Sequence, residues 1–314
     1  MTCTDDKTSG LNRRSFLAGS VAGAVLPLLP KGVYAADTHR FTHGAFDIAV
    51  VSDGFLTLPV SIVLPDAAPE ERDGIMRRLG GTPEGAPFHT NIPFIRTGRD
   101  LIVVDNGSGG NFQASAGKLA ANLATAGINP ADVTKVVFTH AHPDHAGGTV
   151  GADGKLTFPN AQYFVSEREW AFWTNPDYEK VMPKALHGFA RGAQRDLFAV
   201  KERLTLVKPG DEIVTGMQVL DTRGHTPGHI SLELAGDNGL VISGDAATSN
   251  IVFFEHPDWH FGFDTDPEQA LKTRKTLIDR AATEKLTLLG YHWGYPGIGR
   301  AERNGAAYRF VAGA

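Results

Sequence analysis

His140-Ala141-His142-Pro143-Asp144-His145 is the most informative stretch of this 314-residue chain. It directly follows residues 133–139, a short run rich in valine and phenylalanine that predicts a buried strand. In extended chain, side chains two residues apart point the same way, so His140 and His142 are placed to bind one ion. The aspartate and the last histidine lie on the following turn and face a neighbouring position. Imidazole and carboxylate are good zinc ligands, so the stretch predicts a metal-binding loop.

More ligand-type residues follow, again next to apolar segments that predict strands. His225 and His229 lie in Gly224-His225-Thr226-Pro227-Gly228-His229, Asp245 ends Ile242-Ser243-Gly244-Asp245, and His292 follows residues 286–290. A single histidine would favour a loop whose side chain only binds backbone groups. Several ligand-type residues at strand ends favour a metal centre over that alternative.

Predicted strands and helices alternate irregularly, with hairpin-like runs at each end of residues 36–314. This pattern fits a mixed α/β sandwich better than a regularly alternating parallel sheet. The predicted strands are 46–54, 91–95, 101–105, 133–139, 162–166, 204–207, 217–221, 231–234, 240–243 and 286–290, and the predicted helices are 66–80, 115–127, 167–174, 180–202 and 267–283.

Residues 1–35 predict a removable signal peptide. Asn12-Arg13-Arg14-Ser15-Phe16-Leu17 resembles a twin-arginine signal, and Val33-Tyr34-Ala35 resembles a cleavage site. The apolar stretch 16–29 is short for a bilayer span, although an ordinary Sec signal or a retained anchor is the alternative. We expect residues 36–314 to be a single catalytic domain, periplasmic or secreted, without stable membrane insertion once the leader is removed.

Composition excludes several classes of function. The formal net charge is −5, with 30 Lys and Arg against 35 Asp and Glu, so we expect no nucleic-acid partner. The single cysteine, Cys3, lies in the predicted leader. A mature protein without cysteine has no disulfide, no thiolate ligand and no cysteine nucleophile.

The order of the motifs across residues 40–312 resembles that of the metallo-β-lactamase-fold superfamily. The motifs are His-x-His-x-Asp-His, Gly-His-Thr-Pro-Gly-His, Ser-Gly-Asp and the late histidine. The resemblance implies an α/β (α+β) fold, a four-layer αββα sandwich with two divalent ions at one edge between the sheets. Zinc is the favoured ion, although manganese, iron and cobalt accept the same ligands. The implied ligands are His140, His142 and His225 for one ion, Asp144, His145 and His292 for the other, and Asp245 as the bridge.

Two further residues are predicted to act behind the ligands. The second histidine of Gly-His-Thr-Pro-Gly-His is usually not a ligand in this family, so His229 is assigned a structural role. Asp105 matches the family's strand-end aspartate and is expected to orient a metal-binding loop. The alternative for Asp105 is a simple turn residue before Asn106-Gly107.

Finer features resemble one subgroup, the methyl parathion hydrolase-type enzymes and the quorum-quenching lactonases. These features are the opening segment 46–54, Glu167-Arg168-Glu169-Trp170, and the ending that starts at His292. The family usually has an apolar residue, a proline and Phe-Pro-Gly after the last histidine, whereas this chain has Trp293-Gly294-Tyr295-Pro296-Gly297. Four aromatic residues are expected to wall an apolar substrate pocket, with ordinary core packing as the alternative: Trp170, Trp173, Trp293 and Tyr295.

The resemblance implies an exported binuclear hydrolase that uses a metal-bridging hydroxide to cleave lactones or other carboxylic esters. Asp144 or Asp245 would take or pass the proton. The same hydroxide serves phosphotriesters, so organophosphate or arylester hydrolysis is the alternative main activity. β-Lactam hydrolysis is disfavoured because the cysteine-using classes need a thiolate ligand and the cysteine-free class lacks the bridging aspartate. A non-catalytic zinc-binding protein is a minor alternative, and relatives suggest a homodimer.

Overall fold

The computed structural model describes residues 38–313, and the predicted leader lies outside the described residues. Residues 38–313 fall in one structural unit. Among residues 38–313, no helix combines the length and the apolar character that a bilayer crossing requires.

The N-terminal sheet has seven strands that lie side by side in chain order. The first four are antiparallel and the last four are parallel. The second strand extends beyond the predicted range 46–54, because the irregularity between Ser52 and Gly54 is a β-bulge and pairing continues past it to Pro59. The strands are β1 His39–His43, β2 Phe46–Pro59, β3 Gly85–Thr97, β4 Asp100–Val104, β5 Lys135–Val137, β6 Gln162–Ser166 and β7 Leu204–Val207.

The C-terminal sheet also has seven strands, in the order β14-β13-β12-β11-β10-β9-β8. β11 and β12 are parallel, and the other neighbours are antiparallel. The strands are β8 Glu212–Val214, β9 Met217–Asp221, β10 Ile230–Leu234, β11 Leu240–Gly244, β12 Thr287–Gly290, β13 Ile298–Asn304 and β14 Ala307–Ala312.

Helices cover the outer faces of both sheets. The helix predicted over 180–202 is interrupted, because Pro183 cannot donate a backbone hydrogen bond and starts a 3₁₀ turn. The helices are α1 Val60–Val63, α2 Pro69–Arg78, α3 Leu119–Ala126, α4 Pro143–Ala146, α5 Glu167–Trp173, α6 Tyr178–Val181, α7 His187–Ala199, α8 Val252–Glu255 and α9 Pro267–Glu284.

Alternating apolar residues in the central strands build three stacked cores. In β4, Ile102 and Val104 face the second sheet, whereas Val103 faces α3 and α7. In β12, Leu289 faces the first sheet and Leu288 packs with α9. Each sheet therefore buries both faces, one against the other sheet and one against helices. The predicted four-layer αββα sandwich is confirmed.

Candidate metal centre

The ligand-type residues come from the carboxyl ends of the parallel strands. Loops after β4 and β5 carry Asp105 and the 140–145 stretch, and loops after β11 and β12 carry Asp245 and His292. His225 lies in the turn between β9 and β10. Because the carboxyl ends of parallel strands meet at one edge of a sheet, this arrangement brings the side chains together where the two sheets adjoin.

Three histidines form what we call the first ligand group: His140, His142 and His225. One ring nitrogen from each lies within 4.8 Å of the others. The Nε2 atom of His225 is 3.0 Å from Nδ1 of His142, and all three residues are buried. Three neutral nitrogens converging at this spacing are the donor set that zinc accepts.

Asp144, His145 and His292 form the second ligand group, and their ligand atoms also lie within 4.8 Å of one another. Oδ2 of Asp144 is 3.4 Å from Nε2 of His145 and 3.2 Å from Nε2 of His292. Asp245 lies between the two groups. Its carboxylate is 3.3 Å from Nε2 of His225 and 3.3 Å from Nε2 of His292.

Within residues 38–313, several polar atoms at this site are buried without any hydrogen-bond partner, which is uncommon in proteins. They are Nε2 of His140, His142 and His145 and Oδ1 of Asp245. These atoms belong to the two ligand groups and the residue between them. The chemistry of the donor set and these unpaired atoms fit two divalent ions.

The two groups differ in how they hold protons. Burial, followed by the neighbouring His225, lowers the pKa of His142 well below its ordinary value. Burial also disfavours the charged form of His292, but Asp245 and Asp144 outweigh it and raise the pKa of His292 to about 9. Burial acts against ionised Asp245, yet His292 and His145 lower its pKa.

Asp105 and His229 support the ligands from behind. Oδ2 of Asp105 lies 2.8 Å from Nδ1 of His145, and Oδ1 accepts a hydrogen bond from the backbone of Thr139. His229 donates from Nδ1 to the carbonyl oxygen of Thr222 and accepts at Nε2 from the backbone N–H of Asp245. Both nitrogens of His229 are therefore engaged, and neither is free for an ion.

Glu169 is a supporting residue that the motif analysis did not single out. This fully buried carboxylate accepts hydrogen bonds from the backbone of Ala141 and Gly228 and from the Thr226 hydroxyl. Gly228 approaches so closely that an added Cβ would lie 2.0 Å from the Glu169 backbone nitrogen. Burial raises the pKa of Glu169 despite these donors. One carboxylate thus joins the loop of His140 and His142 to the loop of His225.

Asp264 is a second residue that the motif analysis missed. Its Oδ1 is 2.9 Å from Nδ1 of His225, which turns Nε2 of that histidine toward the first ligand group. The sequence signal was weak, since Asp264 lies in a loop 39 residues after its partner. Carboxylates in this position fix the tautomer of a ligating histidine.

The predicted pocket wall needs correction at three of its four residues. Trp293 is buried against Phe254 and Phe310 on the helix side of the C-terminal sheet, and its indole N–H donates to Ala247. Tyr295 packs between the sheets, with its hydroxyl donating to the carbonyl oxygen of Val50.

Among the described residues Trp170 makes its ring contact with Phe198 and not with a ligand histidine, so it too is removed from the pocket wall. Trp173 alone of the predicted set lies beside a ligand, with its ring centroid 5.6 Å from that of His142, and its side chain is fully buried. Other aromatic rings surround the two groups instead. Phe88 lies beside His292, Phe189 beside His142 and Phe261 beside His225, and Phe263 contacts both Phe189 and Phe261.

A family model described as the metallo-beta-lactamase superfamily matches residues 85–292, which include every residue of both ligand groups. The chain belongs to the metallo-β-lactamase superfamily. The prediction that the chain belongs to this superfamily, and that it has the superfamily's fold, is therefore confirmed.

Within the superfamily, the chain is similar to several N-acyl homoserine lactonases. The chain is 30% identical over 167 residues to an N-acyl homoserine lactonase from Bacillus thuringiensis, covering 52% of this chain and 57% of the relative. It is 36% identical over 134 residues to the N-acyl homoserine lactonase AttM from Agrobacterium fabrum, covering 38% and 44%. The chain spans about half the length of the curated relatives it matches.

Two solved structures align with a larger share of this chain than the curated relatives do. AidC, a dizinc quorum-quenching lactonase, matches with a TM-score of 0.81 and 26% identity over 88% of this chain and 97% of AidC. The hydrolase AbOPH of the beta-lactamase superfamily matches with a TM-score of 0.81 and 28% identity, covering 87% and 96%. A dizinc neighbour and the two ligand groups together support two divalent ions in this chain.

Proposed function

We propose that this protein is a two-metal hydrolase that opens lactones, with N-acyl homoserine lactones as its first candidate substrates. The observation that carries the proposal is the complete donor set, two buried groups of ligand atoms with Asp245 between them. The similarity to N-acyl homoserine lactonases supports the substrate class. Zinc is the ion we propose, because all of the donors are imidazole nitrogens or carboxylate oxygens.

Two divalent ions bound here would supply hydroxide at neutral pH and a Lewis acid for the substrate oxygen. The protein's own contribution is to place proton acceptors beside the reacting centre. Asp144 and Asp245 are the carboxylates that lie among the ligand atoms, at 3.2 and 3.3 Å from Nε2 of His292, so either can accept a proton during the reaction. Tyr291 fixes Asp144 by donating its hydroxyl hydrogen to the Asp144 carbonyl oxygen at 2.6 Å.

The surrounding phenylalanines define what the site accepts. Phe88, Phe189 and Phe261 each lie beside a different ligand. Phe88 and Phe261 are buried and keep water from the ligands, whereas Phe189 and Phe263 are half-buried and offer apolar contact to an acyl chain. They offer the same contact to an aryl leaving group, which is the observation that favours arylester or phosphotriester hydrolysis as the second candidate activity.

The deciding experiment uses protein that begins at residue 36, loaded with zinc. We expect kcat/KM for an N-acyl homoserine lactone to exceed that for an aryl dialkyl phosphotriester at least tenfold. The reverse preference would replace lactone opening by the second candidate. Turnover of neither compound by protein with two bound zinc ions would reject both substrate classes.

We also propose that the protein is exported in folded form and that it forms a homodimer. The Arg13-Arg14 pair of the predicted leader supports export by the twin-arginine route. Cell fractionation of the full chain and of an Arg13→Lys, Arg14→Lys variant tests it, because loss of export is expected only in the variant. Light scattering of the purified protein tests the dimer.

A further inference from the structure

We propose that Arg274 is a positioning residue that holds both a metal ligand and a wall of the substrate pocket in place. It acts through Asp264 on His225, and through Trp259 on the segment that carries Phe261 and Phe263. The inference rests on the proposed metal centre, but it does not depend on which ester is the substrate.

Arg274 lies on the inner face of α9 and its side chain is 0% exposed. Its Nη2 atom is 3.0 Å from Oδ2 of Asp264, and its Nη1 donates to the carbonyl oxygen of Trp259 at 2.7 Å. The guanidinium also lies 3.9 Å from the ring centroid of Phe253. Burying such a pair requires costly desolvation of both charges, and apolar residues of similar volume often serve stability as well. Stability alone is therefore a weak explanation for this arginine.

Asp264 connects the arginine to the metal centre. One carboxylate oxygen accepts from Arg274 while the other lies 2.9 Å from Nδ1 of His225. The next residue adds a backbone hydrogen bond, from the N–H of Thr265 to the carbonyl oxygen of His225 at 3.0 Å. With Asp264 held by the guanidinium, the ring of His225 has one orientation and one tautomer, and Nε2 is directed to the first ligand group.

The same guanidinium holds both ends of the segment 259–264. It binds the backbone at Trp259 and the side chain at Asp264. The buried Phe261 and the half-buried Phe263 lie between those points. The ring of Phe261 is 6.0 Å from that of His225 and 5.9 Å from that of Phe263. The position of the pocket wall is therefore coupled to the position of the ligand.

The test compares three variants of the zinc-loaded protein. Arg274→Lys keeps the charge but loses the two-pronged geometry, and Asp264→Asn keeps the shape but loses the charge. Arg280→Lys is the matched control. Arg280 lies on the same helix and makes a two-point pair with Glu233, at 2.9 and 2.6 Å, outside the metal centre. The affinities of both zinc sites are measured by competition with a chromophoric chelator, together with KM and kcat for lactones of short and long acyl chain.

We expect Arg274→Lys and Asp264→Asn to weaken one zinc site by about 10–100-fold and the other by less than about threefold. His225→Ala identifies the affected site. KM for the long-chain lactone should rise more than KM for the short one, while Arg280→Lys changes none of these quantities. The double variant Arg274→Lys, Asp264→Asn should lose no more affinity than the worse single variant, because both residues act through one connection.

Unchanged zinc affinities in Arg274→Lys or in Asp264→Asn would overturn the proposal, and so would equal weakening of both sites. If Arg274→Lys does not fold, Arg274→Gln, whose amide still donates one hydrogen bond toward Asp264, takes its place in the test. If no lactone is turned over, the proposed activity fails, but the zinc affinities still decide the role of Arg274.

Discussion

The two ligand groups differ most clearly in where negative charge is placed. The first group contains only histidines, and the nearby carboxylates contact these histidines or their loops from behind. Asp264 contacts the ring of His225, and Glu169 accepts hydrogen bonds from the loops that carry the histidines. The second group includes the carboxylate of Asp144 itself. Consequently burial lowers the pKa of His142, whereas carboxylates raise the pKa of His292 to about 9.

This difference shows that similar donor atoms can be prepared for an ion in two ways. In the first group burial lowers the pKa of His140 and His142 well below the ordinary value, and the group needs its geometry fixed by residues outside it. The second group has strong local charge and must release protons when an ion binds. Each half of the site can therefore be disturbed separately, and the residues that link the halves should give the largest effects.

The largest effect is expected for Asp245→Ala, which removes a carboxylate that lies 3.3 Å from His225 in the first group and 3.3 Å from His292 in the second. Without the shared carboxylate, ions bound by the two ligand groups should no longer act together on one substrate. We expect kcat/KM to fall at least about ten-thousandfold, equivalent to ~5 kcal/mol. Steady-state kinetics with metal analysis test this, and a loss below tenfold would show that the two groups work independently.

A second prediction separates aromatic residues of the pocket from those of the core. Trp293→Ala should reduce the free energy of unfolding by about 3–5 kcal/mol, because it leaves a cavity beside Phe254 and Phe310. Phe263→Leu, at a half-buried ring near the ligands, should raise KM with little change in thermal stability. Denaturant unfolding and kinetics on both variants check this. A substrate-specific change in Trp293→Ala at full stability would restore its assignment to the pocket.

A third prediction concerns the outer carboxylates, which should act on opposite halves. An amide in place of either carboxylate turns a donor toward groups that already donate. Glu169→Gln should therefore weaken the first group, and Asp105→Asn should weaken the second through His145, by about 10–100-fold in zinc affinity. Chelator competition resolves the two sites. If both variants weaken the same site, the division into two groups is wrong.

The smallest predicted effect is a difference in pH dependence. His292 with a pKa of about 9 carries a proton at pH 7 in the metal-free protein, and this proton leaves when an ion binds. Zinc affinity of the second group should therefore rise tenfold or more for each pH unit up to about 9, because the pKa of His145 is raised as well and its proton also leaves. The first group should show a shallower profile, since burial lowers the pKa of His140 and His142 well below the ordinary value. Parallel profiles for both sites would contradict the comparison.

Local spacing indicated a metal-binding loop, because the 140–145 stretch places several donor side chains close together and other donor residues follow apolar strands. The assignment of particular residues to two ions came from the resemblance to the family. The supporting residues depend on contacts between distant parts of the chain. Glu169 lay inside a stretch that resembled the subgroup, and its burial follows from Ser166 starting α5 beside Gly228. Asp264 and Arg274 gave no such signal, since a charged residue in a loop or on a helix usually faces solvent.

The aromatic assignments failed for a related reason. A tryptophan next to a ligand in sequence need not lie beside it, and Trp293 follows His292 directly while packing on the opposite face of the sheet. The leader and its export remain predictions, because residues 1–35 lie outside the described residues.

The ligands come from both halves of the sandwich, and this has a mechanical consequence. The 140–145 stretch follows a strand of the N-terminal sheet, whereas His225, Asp245 and His292 belong to the C-terminal half. Ions held between them would cross-link two distant parts of the chain, in a protein whose one cysteine is residue 3. In many proteins a disulfide supplies this kind of cross-link, at about 4 to 5 kcal/mol for a loop of ~100 residues. Here the metal centre would also be a cross-link, so removing the ions with a chelator should lower the protein's resistance to unfolding as well as its activity.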